Sequence, residues 1–159
     1  MDPERFRLNA RELQLEHPAL QPVVVHGLSM FPFLRDGDQL FVAPVAWDGI
    51  RPGDILTYRF EDKFPARRVV AREANRLRLR ADNWARQEFE VAREDVLGRV
   101  VARRRRGVIV TRDDWRWIAW SRLVLVRYRA RRLLAPLRRW WEGSRRPGRQ
   151  AGGQATPVV

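Results

Sequence analysis

Between residues 22 and 106, apolar and polar positions alternate in short runs divided by turn residues. The segments "PVVVHG", "QLFVAPV", "DILTYRF", "RRVVARE", "RLRLRAD" and "VLGRVVARR" each read as a strand. Asp36-Gly37-Asp38, Asp48-Gly49, Pro52-Gly53-Asp54, Pro65 and Asn75 bound them. In "RLRLR" the alternation is strict, so Leu77 and Leu79 face one way and Arg76, Arg78 and Arg80 the other. Strands this short and this closely spaced predict a mainly β domain over residues 20–107, an antiparallel coiled sheet or barrel that Gly107 ends.

The pattern changes at both ends. Within residues 1–19, positions 3–16 predict a short amphipathic helix carrying Phe6, Leu8, Leu13 and Leu15, stopped by Pro18. Residues 108–142 read as a basic helical segment, the helix itself running from Trp115 to Trp141. There Leu123, Val126, Ala130, Leu133, Leu134, Leu137 and Trp141 recur at three- and four-residue steps and form one apolar stripe. Arg127, Arg131, Arg132, Arg138 and Arg139 fall largely on the other side. Pro136 is expected to kink or divide this helix, because it lacks an N–H and crowds the preceding turn. From Gly143 to Val159 the composition predicts disorder.

Charge sharpens this division. The net charge of +13 is not spread along the chain. Residues 1–102 hold 15 Arg and one Lys against 16 Asp and Glu, whereas residues 103–149 hold 16 Arg against Asp113, Asp114 and Glu142. A neutral domain is followed by a cationic tail, which calls for an anionic partner. Five of the seven tryptophans lie in the same helical segment, at 115, 117, 120, 140 and 141. Tryptophan favours the headgroup level of a membrane and arginine favours anionic lipid, so residues 115–141 read as an interfacial anchor on an anionic membrane surface. The competing reading is that the apolar stripe closes the domain's own core. The N-terminus lacks the apolar core of a secretory signal, and no run approaches the roughly 18–20 apolar residues of a spanning helix. The expected location is therefore the cytoplasm, with the tail at the inner face of the membrane.

The chain has no cysteine and only His17 and His26, which leaves no disulfide, no thiolate zinc site and no histidine-rich metal site. No metal or cofactor is expected. What remains for chemistry is "VHGLSMFP", in which Ser29 lies on a bend between glycine and proline.

Several pieces together resemble the type I signal peptidases and their LexA-like relatives. "GLSMFPFLRDGDQLFV" is similar to that family's nucleophile box, Gly-x-Ser-Met-x-Pro followed by Gly-Asp and an apolar strand. "IRPGDILTYR" resembles the second Gly-Asp box, "ARRVV" the Lys-Arg-Val or His-Arg-Val segment, "LRADNW" the Gly-Asp-Asn box and "VLGRVVARRR" the closing Gly-Arg-Val strand. The five occur in the family's order over about residues 22–106. The resemblance implies the signal-peptidase or LexA-like fold and a serine endopeptidase that processes leader or signal-type peptides, hence a peptide or protein substrate. Ser29 would be the nucleophile, with its own backbone N–H in the oxyanion hole. Gly27, Met30 and Pro32 would line a groove whose strand edge pairs with an extended substrate.

One position departs from the family. Where it places a lysine or histidine as general base, this chain has Arg67. Arginine holds its proton well above neutral pH and cannot accept one from serine. Three readings follow. Lys63, the only lysine, could fold back from the "EDKFP" turn and act as base; His26, three residues before Ser29, is the second candidate. In the third, the protein is a catalytically silent peptide-binding protein at a membrane surface, with Arg67 holding a peptide carboxylate or carbonyl. Asp82, in the acidic box, would then either pair with Arg67 or serve as a structural aspartate in its turn. Asp38 and Asp54 read as turn residues. LexA-like relatives carry a helix-turn-helix module ahead of the protease domain. Only about 21 residues precede the strands here, so nucleic acid is not the expected partner, although Arg103–Arg106 could touch phosphates.

Overall fold

The computed structural model describes residues 21–83 and 87–144, with side chains from Pro22 through Leu134. The helix expected at 3–16 and the tail from residue 145 lie outside the described residues. Eight strands form one antiparallel sheet: β1 (Gln21–Val24), β2 (Gln39–Ala43), β3 (Ile55–Tyr58), β4 (Ala66–Arg72), β5 (Arg76–Arg80), β6 (Glu88–Ala92), β7 (Val96–Arg105) and β8 (Val108–Thr111). A long helix, α1 (Trp115–Ser144), follows. The strand order is β1-β2-β7-β3-β4-β5-β6, with β8 added to β7. The sheet is not closed, so the expected antiparallel sheet is present and the barrel is not.

Burial follows the sequence pattern. β3 lies between β7 and β4, and all four of its residues are buried, which is why "ILTY" carries no alternation. Leu77 and Leu79 of β5 face the core opposite Val91 and Phe89 of β6, so the strict alternation of "RLRLR" is matched across the ladder. β7 runs through the centre of the sheet, and close to its start Gly98 passes so near β2 that a Cβ there would stand 2.7 Å from the Ala43 carbonyl oxygen. Only glycine fits that crossing.

Two strands were not in the sequence reading. β6 hides in "EFEVA", where glutamates flank the two inward-facing residues, Phe89 and Val91. β8 continues the sheet past Gly107. Arg106 and Gly107 both have positive φ, 48° and 80°, and join Arg105 to Val108 as a two-residue hairpin turn. The glycine therefore reverses the chain and leaves the sheet running.

The helix departs from expectation in a more consequential way. It packs on the domain through Trp117, Ser121 and Tyr128. Trp117 meets Phe33 edge-on at 4.9 Å between ring centroids, and Trp120 stacks on the same ring at 6.3 Å. The apolar stripe read from the sequence does not face the core: Leu123, Val126, Leu133 and Leu134 are all exposed. α1 also runs through Pro136 undivided. Proline removes one helical hydrogen bond, and the turns on either side keep theirs.

Candidate functional site

Ser29 is set on its turn by the residues around it. β1 stops at Val24, and Val25 is tied to the Gly-Asp turn: its N–H donates to the Asp38 carbonyl at 2.8 Å and its carbonyl accepts from the Gly37 N–H at 2.9 Å. Gly27 has φ +89°, and its N–H donates to Asp36 Oδ1 at 2.7 Å. A side chain there would find open space but a strained backbone, so glycine is required by conformation. After Ser29, the buried Met30, Phe33 and Leu34 pin the turn to the core. The sequence reading assigned no role to Asn83, yet this residue holds the turn from the far side. Its backbone N–H donates to the Ser29 carbonyl at 3.0 Å and its side-chain amide to the Leu28 carbonyl at 3.1 Å. Its place in the "ADN" box is the one signal that could have marked it.

β4 supplies two arginines that point opposite ways, as adjacent strand residues must. Arg67 turns toward the serine, and its Nη1 donates to Ser29 Oγ at 2.7 Å and to the Ala66 carbonyl at 2.8 Å. Its guanidinium carbon lies 5.2 Å from the centre of the Phe89 ring. The Nε is buried without a hydrogen-bond partner, and among the described residues no carboxylate pairs with this arginine. Burial pulls the Arg67 guanidinium below its usual value, opposed by the nearby Tyr58 hydroxyl. The same burial pushes Tyr58 up. Arginine starts so high that it stays charged at neutral pH. The serine oxygen accepts from a cation and has no base on that side.

Arg68 turns the other way and is fully buried. It forms a forked pair with Asp82, Nε to Oδ1 at 2.8 Å and Nη2 to Oδ2 at 2.7 Å, and its Nη1 donates to the Gly53 carbonyl and to Ser121 Oγ. Trp120 Nε1 adds a bond to Asp82 Oδ2 at 3.2 Å. The suggested Asp82–Arg67 pair is thus corrected: Asp82 pairs with Arg68, because the strand pleat puts Arg67 and Arg68 on opposite faces. The acidic box ties the sheet to α1 and does not orient a base.

A cleft of about 540 Å³ opens over Ser29, lined by Val23, Val25, Gly27, Met30, Phe64 and Arg67 among others. Both proposed bases, His26 and Lys63, also line it. Lys63 is exposed at the tip of the β3–β4 hairpin, where it and Phe60 exchange backbone hydrogen bonds of 3.0 Å. Neither Lys63 nor His26 makes a hydrogen bond to Ser29 among the described residues; Arg67 does. Pro32, expected in this groove, instead lines a separate hollow of about 290 Å³ with Asp82, Trp120 and Arg127. The chain turns about Met30–Phe33 and carries Pro32 to the other side of the serine loop.

Asp38 and Asp54 organise turns, as their position after glycine suggested. Each accepts the N–H of the residue three before it, Arg35 or Arg51, at 2.9 Å. Asp38 is buried and also takes both a 2.7 Å bond from Arg105 Nε and another from its Nη2. Burial alone would raise its carboxyl, but the hydrogen bonds from Arg105 and the Arg35 amide and the charges of Arg105 and Arg103 outweigh it and hold it below the ordinary carboxylate value. A depressed folded-state value contributes stability above the unfolded value near 4, and that stability is lost as pH falls through the folded one. Asp38→Asn should therefore be less stable than wild type by about 2–3 kcal/mol at neutral pH, with the gap closing below about pH 4. Urea melts of both proteins from pH 7 to pH 3 measure it; a constant gap would assign the loss to something other than the charge.

A family model described as Peptidase S24-like matches residues 4–101. No curated protein matches the chain.

Proposed function

This chain belongs to the Peptidase S24-like family, and from that premise we propose that it binds peptide segments in the Ser29 cleft and holds its serine unactivated. The observation that carries this is the 2.7 Å bond from Arg67 Nη1 to Ser29 Oγ. In a serine peptidase of this type the group at that place must accept the serine's proton; a guanidinium donates there instead. The cleft supports peptide binding in other ways. Among the described residues β1 is an edge strand, and its outer side can pair with an extended chain. Val23, Val25 and Phe64 supply apolar walls. A half-buried guanidinium that lines the cleft and has no carboxylate partner among the described residues favours an anionic ligand atom, which in a peptide is a free α-carboxylate or an acidic side chain.

A second reading is endopeptidase activity on leader-type peptides with an unconventional base. It is favoured by the family and by the placement of Lys63 and His26 on the same cleft. One experiment separates the two. A diverse peptide library is presented with free or amidated C-termini, with binding read by affinity selection and new termini read by mass spectrometry. Silent binding predicts retention of free-carboxylate peptides without cleavage, weakened about tenfold or more by Arg67→Met and preserved in Ser29→Ala. Cleavage by wild type that disappears in Ser29→Ala would establish the second reading and remove the first.

A further inference from the structure

The exposed face of α1 is neither a polar surface nor a core. At 100° per residue, Trp115, Ala119, Leu123, Val126, Ala130 and Leu133 fall within a sector of about 80°. That sector points away from the face that packs on the sheet through Trp117, Ser121 and Tyr128. Trp115 is 68% exposed, Val126 63% and Leu133 77%. On a helix packed against a folded domain through its opposite face, this many large apolar side chains in one line mark a docking surface. Arginines border the line on both flanks, Arg122 and Arg129 on one and Arg116 and Arg127 on the other. Between residues 115 and 141 the helix has eight Arg and no Asp or Glu.

We propose that this outward face of α1 docks flat on the surface of an anionic lipid bilayer, its apolar line at the acyl boundary and its flanking arginines on lipid phosphates. The charge pattern chooses the occupant. A second copy of the helix would bring arginine against arginine along both flanks, which disfavours self-association. A nucleic acid would use the arginines but leave Trp115, Val126 and Leu133 in water. A bilayer surface satisfies both: arginine and apolar side chains are each placed where the interface is favourable for them. No helix among the described residues is long and apolar enough to cross a membrane, so the contact is one that lies on the surface.

The side chains that attach α1 to the sheet are on its opposite face, so the docking face can be altered without disturbing the fold. The test is flotation of the full chain with phosphatidylcholine vesicles containing about 30% phosphatidylglycerol, compared with pure phosphatidylcholine vesicles. Wild type is expected to float with the anionic vesicles only. The double variant Val126→Asp, Leu133→Asp, with an unchanged thermal melt, is expected to stay in solution. Each of Arg122→Gln and Arg129→Gln should weaken partition about fivefold. The proposal is overturned if wild type fails to float, or if the aspartate variant floats as wild type does, since the apolar line would then be idle. It is equally overturned by a wild-type dimer that the aspartate variant converts to monomer, or by tighter retention on duplex DNA than on anionic vesicles at equal salt.

Discussion

Arg67→Lys is expected to turn a protein that leaves a peptide library intact into one that cleaves it, with the gain abolished when Ser29→Ala is added. The argument starts from what the arginine already does. Its Nη1 reaches Ser29 Oγ at 2.7 Å, so the strand, the turn and the cleft present a group to the serine at hydrogen-bonding distance. What that group lacks is a removable proton in the neutral range. A lysine has an ordinary pKa near 10.4, and burial disfavours its charged form. The site that pulls the Arg67 guanidinium down by burial would act in the same direction on an ammonium. A neutral amine there can accept the serine proton, and general-base assistance contributes typically about 10²–10⁴-fold. The new activity should rise with pH through the lysine's pKa, which an adventitious protease would not reproduce in the Ser29→Ala pair. Silence of Arg67→Lys across pH 7–9.5, with peptide binding intact, would mean that the serine or its oxyanion donors are misplaced and that the base is not the one missing part.

The two arginines also show what could be read from the chain and what could not. The serine turn, six of the strands between 22 and 106 and the substitution at position 67 are legible, because each rests on local residue type and spacing; β6 is not, because its glutamates mask the two inward-facing residues. β-strand pleating even implied that Arg67 and Arg68 face opposite ways. What the sequence could not supply was the partner of each face, since Asp82 is separated from β4 by the whole of β5 and its neighbours depend on how β4, β5 and α1 meet. Asp82 was consequently considered with the wrong arginine. Lys63 illustrates the same limit: four positions from Arg67, it could have folded back, and only the hairpin's own Phe60–Lys63 pairing sets it at the exposed tip. The α1 stripe was correctly seen as apolar, but periodicity alone does not say which side of a helix meets the core. Two side chains at the other face, Trp117 and Tyr128, decide it, and they decide it by meeting Phe33 of the serine turn and Arg80 of β5.

The second large effect concerns the buried pair on the far face of β4. Asp82→Ala should destabilise the fold by about 3–5 kcal/mol, because it leaves the Arg68 charge buried without its partner. The Arg68 and Asp82 side chains are 0% and 1% exposed, so water cannot replace the lost bonds without opening the structure. For a chain of this size that corresponds to a fall in melting temperature of roughly 6–20 °C. Replacing both partners, Arg68→Met with Asp82→Leu, should recover most of the loss, since an apolar pair of similar volume removes the unpaired charge. Differential scanning calorimetry of the single and double variants measures the cycle. A melting temperature within about 2 °C of wild type for Asp82→Ala would show that Arg68 finds another anion or reaches solvent. The consequence reaches the cleft through chain connectivity. Asp82 is followed by Asn83, whose two hydrogen bonds fix the Ser29 turn, and Arg68 is preceded by Arg67, which bonds the serine itself. Loosening the pair therefore loosens both sides of the serine at once, so Asp82→Ala should also lose peptide binding at temperatures where its sheet is still folded. Loss of binding only in step with global unfolding would mean that Asn83 and Arg67 hold the turn without help from the pair behind them.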